Sequence, residues 1–148
     1  MNNSMELKFS ALSENEGFAR AAVAGFCLHL NPSIDELTDI KTAVSEAVTN
    51  CVVHAYPNSC GNIVIKVELF DDTIHIEIRD YGVGIKDLKK ARTPFFTTKP
   101  LEERSGMGFT VMESFMDSLD IQNAKDCGLI VKMSKTIKQA ESNIRQLG

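Results

Sequence analysis

Three side chains able to handle protons and metal ions recur at a fixed interval in this sequence: Glu46, Asn50 and His54, at i, i+4 and i+8. On an α-helix that spacing sets them in one stripe, advancing roughly 6 Å per step. Asn offers Mg²⁺ a neutral hard oxygen, and Glu can take up a proton. The pair suits a magnesium nucleotide, because Mg²⁺ keeps several waters and draws its other ligands from phosphates. A solvated polar helix edge has the same appearance, so the stripe alone does not decide. Its position is more informative: it runs along the flank of the apolar stripe of Ile40, Ala43, Ala47 and Cys51, where a half-buried groove would form.

A second group is Asp80-Tyr81-Gly82-Val83-Gly84, where an alternating pattern breaks into glycines. A carboxylate there can accept from the exocyclic amine of adenine, and glycines let the backbone approach a flat base. Asp and Gly are also ordinary turn residues, so DxGxG is equally a plain turn. A third group, Ser105-Gly106-Met107-Gly108, precedes a predicted helix, whose N-terminal N–H groups could hold phosphate oxygens. It is too short for a Walker A loop, follows no strand, and also reads as a glycine hinge. Between them TPFFTTKP, at 93–100, sets two adjacent aromatics among polar residues, as a loop anchor would.

The elements that must position these groups follow from periodicity. Residues 5–12 alternate as a strand, and Ser13 with Glu16 has the capping-box spacing that opens a helix to about residue 30. Asn31-Pro32 breaks it, and Ser33 with Glu36 repeats the signature for a second helix to about residue 56. NIVIKVELF and TIHIEIRD, joined by Asp71-Asp72, read as a β-hairpin with one buried face. Residues 81–108 read as a long loop with a brief helix near 86–91, and loops of such length are usually functional. A helix at 109–118, strands at 119–123 and 129–135, and a helical tail from 136 complete the prediction.

With 148 residues and no linker or repeat, the chain reads as a single domain, 1–148. A formal net charge of −4 gives no electrostatic footprint for nucleic acid or acidic membrane. No leader pattern and no membrane-length apolar run is present, so a cytoplasmic protein is expected. Cys27, Cys51, Cys60 and Cys127 form no CxxC pair and are expected to be buried free thiols.

The order of the motifs is more restrictive than any one of them. ExxxNxxxH on a helix, a hairpin, DxGxG, PFFTTK and SGMG opening another helix resemble the N, G1, F and G2 boxes of the GHKL (Bergerat) ATPases, over 46–108. Histidine kinases, the gyrase B class, and chaperone and repair ATPases share these boxes. The resemblance implies an α+β two-layer sandwich, a mixed, mostly antiparallel sheet with helices on one face, and an ATP lid at about 92–106. It implies Glu46 as general base, Asn50 as the Mg²⁺ ligand, Asp80 as the adenine reader, and Gly82 and Gly84 as shapers of the base pocket. His54, Thr97, Thr98, Lys99, Arg104, Ser105, Gly106, Met107 and Gly108 would complete the ATP/ADP contacts. SGMG is shorter than the GxGxG run of many histidine kinases, which leaves the phosphate contacts open.

A phosphoacceptor hairpin and a transducer domain are both missing from the pattern. A stand-alone domain resembles the anti-sigma factor serine kinases of Gram-positive bacteria, above all their sporulation members. That resemblance implies two partners: a sigma factor of the sigma F type, held inactive, and an anti-anti-sigma factor phosphorylated on serine. It further implies a homodimer through the N-terminal strand and sheet face, and Arg20 at the partner surface. A nucleotide-gated sigma-binding protein of another regulon and a detached histidine-kinase ATP domain are the alternatives.

Overall fold

The computed structural model describes residues 2–57, 60–92 and 108–138. Alternating β-branched residues build a five-stranded sheet from β1 (Asn2–Ser10), β2 (Asn62–Phe70), β3 (Thr73–Asp80), β4 (Ser118–Asn123) and β5 (Leu129–Thr136). The strand order is β1-β2-β3-β5-β4, and every pairing among the described residues is antiparallel. The β2–β3 hairpin turns between Phe70 and Thr73, with Asp71 in the left-handed region at φ 54°. Asp tolerates that region better than most side chains.

Period-two alternation gives the sheet two unlike faces. Ile63, Ile65, Val67 and Leu69 of β2, Ile74, Ile76 and Ile78 of β3, and Val131 and Met133 of β5 are buried. Full burial of each such side chain contributes about 1.5–3 kcal/mol. On the opposite face Glu6, Lys66, Glu77, Lys132 and Asp120 stand side by side across the five strands, with alternating sign.

The helices α1 (Glu16–Cys27), α2 (Ile34–Asn50), α3 (Leu88–Ala91) and α4 (Gly108–Phe115) follow. Ala19, Val23 and Cys27 of α1, Ile40, Ala43, Val44, Ala47 and Val48 of α2, and Met112 of α4 join the sheet's apolar face in one core. The central helix α2 packs against both α1 and α4. Its start is fixed by the expected capping box: Ser33 Oγ accepts from Glu36 N at 3.0 Å, and Glu36 Oε1 accepts from Ser33 N at 2.9 Å. Glu36 Oε2 also accepts from Lys138 N at 2.9 Å, which ties the segment after β5 to the head of α2. Partial burial pushes the Glu36 carboxyl up, but the Ser33 and Lys138 bonds and the Lys135 charge outweigh it and hold the group below its ordinary value.

Several expectations are corrected. The Ser13–Glu16 box does not form: residues 13–15 make a 3₁₀ turn, Asn15 precedes α1 without a side-chain cap, and the Glu16 carboxylate pairs with Arg20 at 3.2 Å instead. The first strand begins earlier than expected and ends at Ser10, and β5 continues to Thr136, where a helix was expected to begin. Cys27 and Cys51 are buried free thiols, whereas Cys60 and Cys127 are exposed. The expected lid and helical tail fall largely on 93–107 and 139–148, outside the described residues. Among the described residues no helix is long and apolar enough to cross a membrane.

Candidate functional site

Regular α geometry in α2 stops at Asn50, and Cys51–Ala55 continues it as a π-helical turn. Its i→i+5 bonding accommodates one residue more per turn than α geometry does, and such turns are frequent at functional sites. The turn directs the Ala55 carbonyl to the loop after β3, where it accepts from Val83 N at 2.9 Å. Beside it opens a cavity of about 490 Å³. That size suits a small organic ligand.

The floor of the cavity is Asp80, 3% exposed and the only buried charged side chain among the described residues. Its parity explains the burial. It lies two residues beyond Ile78 on the core face of β3, where an apolar residue would continue the pattern. Burial pushes its carboxyl above the ordinary carboxylate value. The N–H groups of Gly82 at 3.0 Å and Leu129 at 3.1 Å, both donating to Oδ1, oppose that shift, as do the Cys51 thiol and the Arg79 charge.

The glycines have different tasks. Gly84 lines the cavity at φ 71°, and a Cβ there would stand 2.6 Å from Asn123 Oδ1. Asn123 holds this loop by two bonds, accepting from Ile85 N at 2.9 Å and donating to Ile85 O at 2.7 Å. Gly82 does not line the cavity; it makes a close approach to Ala55. Gly128, at φ 90°, lets β5 reach the end of β3, since a Cβ there would lie 2.0 Å from Asp80 O.

Asn50, His54, Asp80, Gly84 and Gly108 therefore share one cavity. Gly108 and Phe109 bring the N-terminus of α4 to its wall. Glu46, one turn before Asn50, is half-buried and outside the lining. Arg20 is elsewhere, with Nη1 3.2 Å from Glu16 Oε1 and 3.4 Å from Ser45 Oγ across on α2. Thr97, Thr98, Lys99, Arg104, Ser105, Gly106 and Met107 lie outside the described residues. Lys86 and Lys90 add cationic groups to the lining that the motifs did not point to.

The donor set fits a nucleotide: a buried acceptor at one end, apolar walls from Ala47, Val83, Ile85 and Val131, and an amide with a helix N-terminus further along. No cluster of three metal-binding side chains exists among the described residues. Asn50, on the cavity wall, could supply one oxygen to a Mg²⁺ ion, which ordinarily draws its remaining ligands from phosphate and water.

This combination of sheet, central helix and cavity is that of a kinase-type ATPase domain. Residues 9–135 match the family described as "Histidine kinase-like ATPase domain", and the chain belongs to that family. Among individual proteins, it is 51% identical over 143 residues to the anti-sigma F factor of Bacillus subtilis strain 168, covering 96% of this chain and 98% of that protein. It is 54% identical over 136 residues to the anti-sigma F factor of Caldanaerobacter subterraneus subsp. tengcongensis, covering 92% of this chain and 95% of the relative. In fold it is similar to the catalytic domain of histidine kinase ThkA, with TM-score 0.56 and 17% identity, covering 90% of this chain and 97% of that one.

Proposed function

We propose that this chain is an anti-sigma factor and protein serine kinase, which holds a sigma F-type factor inactive and phosphorylates a serine of an anti-anti-sigma factor with Mg-ATP. The near end-to-end likeness to proteins named anti-sigma F factor carries this reading. The cavity supports it chemically, with a buried acceptor for adenine at Asp80 and an oxygen ligand for Mg²⁺ at Asn50.

In this reading Asp80 accepts from the adenine amine, and the start of α4 faces the phosphates. Asn50 would hold Mg²⁺, which when bound would supply charge neutralisation at the phosphoryl oxygens. The partner's serine oxygen bonds to the γ-phosphorus as the bond to the β–γ bridging oxygen breaks; ADP leaves and Glu46 takes the serine proton. His54 lines the same cavity and completes the nucleotide contacts. Thr97, Thr98, Lys99, Arg104, Ser105, Gly106 and Met107, which lie outside the described residues, are assigned to nucleotide contacts by the family resemblance alone. Arg20 belongs to the partner surface, and two protomers associate through β1 and the open sheet face, in the cytoplasm. β1 is an edge strand, whose unpaired backbone groups could pair with those of a second copy.

Incubation with radiolabelled ATP and an anti-anti-sigma protein tests the activity. Acid-stable phosphoserine supports it; acid-labile phosphohistidine would assign the chain as a detached histidine-kinase ATP domain, and no label would leave a nucleotide-gated binder. Glu46→Gln is expected to keep ATP and partner binding while losing transfer, and undiminished transfer removes Glu46 from the role of base. Light scattering tests the dimer: a mass of two protomers supports it, and a mass of one protomer overturns it.

A further inference from the structure

Tyr56 closes the π turn and stands outside the cavity lining, and the phosphoryl transfer just described gives it no task. Its ring is half-buried against the core, a place that phenylalanine would fill equally. The hydroxyl sets this tyrosine apart, because it joins two other elements. It donates to Asn62 O at 2.8 Å, on the first residue of β2, and its oxygen accepts from Tyr81 N at 2.7 Å, directly after β3. Gly61 makes room for it: a Cβ there would stand 2.3 Å from Tyr56 Cε1 and 2.8 Å from the hydroxyl oxygen.

The Tyr81 N–H belongs to the planar peptide that leaves Asp80. At the other end of that peptide is Asp80 O, against which Gly128 lies so near that a Cβ on it would be 2.0 Å away. The peptide is thus held by Tyr56 at its N–H and bounded by Gly128 at its C=O. The next two N–H groups are also engaged, Gly82 N by Asp80 Oδ1 and Val83 N by Ala55 O. Gly82, which donates to the carboxylate, follows the clamped peptide along the chain. Where that peptide stands decides where the donor stands, and so how the Asp80 carboxylate is turned.

We infer that Tyr56 is a positioning residue for base recognition: its hydroxyl, presented at the end of the π turn, fixes the peptide after Asp80 and with it the Gly82 donor that orients the Asp80 carboxylate toward a base in the cavity. The inference rests on the reading of Asp80 as the adenine acceptor. It makes a residue outside the cavity a determinant of base selectivity and not of phosphate binding.

The test is a titration of the full chain with Mg-ATP and with Mg-GTP, reading the ratio of the two affinities. Tyr56→Phe keeps the ring and removes only the hydroxyl, and it is expected to lower the preference for ATP about 2- to 10-fold, up to the worth of one modest hydrogen bond. Gly61→Ala reaches the same contact from the other side: the hydroxyl remains but the ring must move, and the preference is expected to fall likewise. In an Asp80→Asn background Tyr56→Phe is expected to change the ratio no further, because the two act as one unit. Should Tyr56→Phe fold poorly, Gly61→Ala carries the test.

An unchanged ratio in Tyr56→Phe overturns the inference, and an equal loss of ATP and GTP binding, which also leaves the ratio unchanged, marks a packing role alone. A fall in the ratio that persists undiminished in the Asp80→Asn background overturns it as well, since Tyr56 would then act by another route. If Asp80→Asn itself leaves the ratio unaltered, the reading of Asp80 fails, and the inference falls with it in a way distinct from a failure of Tyr56.

Discussion

Gly82 and Ala55 approach so closely that a Cβ on Gly82 would stand 2.0 Å from the Ala55 carbonyl oxygen and 2.8 Å from the Ala55 Cβ. The same carbonyl accepts from Val83 N, so the loop after β3 is seated on the π turn. Gly82→Ala must push these two backbones apart. Overpacking of this kind costs about 1–3 kcal/mol, to be read from urea denaturation, and nucleotide affinity should fall with it. An unshifted denaturation midpoint would mean that the seat is incidental.

Ionisation of Asp80 is expected to cost the nucleotide-free fold some stability. Its carboxyl ionises at higher pH in the folded chain than the ordinary 3.8, so between those two values the folded state binds more protons than the unfolded one. Stability therefore falls as pH rises through that window and remains lower above it. Asp80→Asn keeps an acceptor for the Gly82 and Leu129 N–H groups and removes the charge. Its nucleotide-free melting temperature at neutral pH is expected to equal or exceed the parent's by roughly 2–4 °C, while ATP should no longer raise it. A lower melting temperature would show that the carboxylate stabilises the fold.

Asn123 bridges the loop that carries Gly84 through its two bonds to Ile85. Asn123→Ala should cost about 1–3 kcal/mol, since two hydrogen bonds are lost at the end of β4. Weaker adenine nucleotide binding, measured calorimetrically, is expected alongside. Retention of full affinity would place the loop's order in its glycines alone.

Glu36 acts with the opposite sign to Asp80. Its folded ionisation lies below the ordinary carboxylate value, so its contribution is complete above the unfolded value and is lost as pH falls through the folded one. Glu36→Gln should flatten the acid side of a melting-temperature profile, and Ser33→Ala should cost about 1 kcal/mol at neutral pH. An acid limb as steep as the parent's in Glu36→Gln would assign that limb to other carboxylates.

How legible the molecule is in its sequence depends on the range of the interaction concerned. The β2–β3 hairpin and the Ser33–Glu36 cap are set by neighbours within a few residues and read directly. Asp80 could be read as well, because strand parity alone places it on the core face. The Ser13–Glu16 spacing is identical to that of the true cap, but Arg20 competes for the carboxylate, and spacing cannot weigh competitors. Asn123 and Gly128 serve the site across the sheet, and no local pattern marks a residue whose partner is some 40 positions away. The π turn is hidden for another reason: a helical projection assumes one period throughout, and 51–55 carries no residue type that marks a change of period.

That π turn has a bearing on how the chain can change over evolutionary time. Its wider winding holds one residue beyond what a regular helix needs, while Asn50 before it and Ala55 after it are each committed to the cavity or to the loop. Exchanging side chains within 51–55 alters chemistry at fixed positions. Removing one residue would let the stretch wind as a regular helix over nearly the same arc, so its two ends would keep their places while one side chain was lost. What the extra residue adds is therefore side-chain chemistry and not reach, for Cys51, His54 and Ala55 all line the cavity.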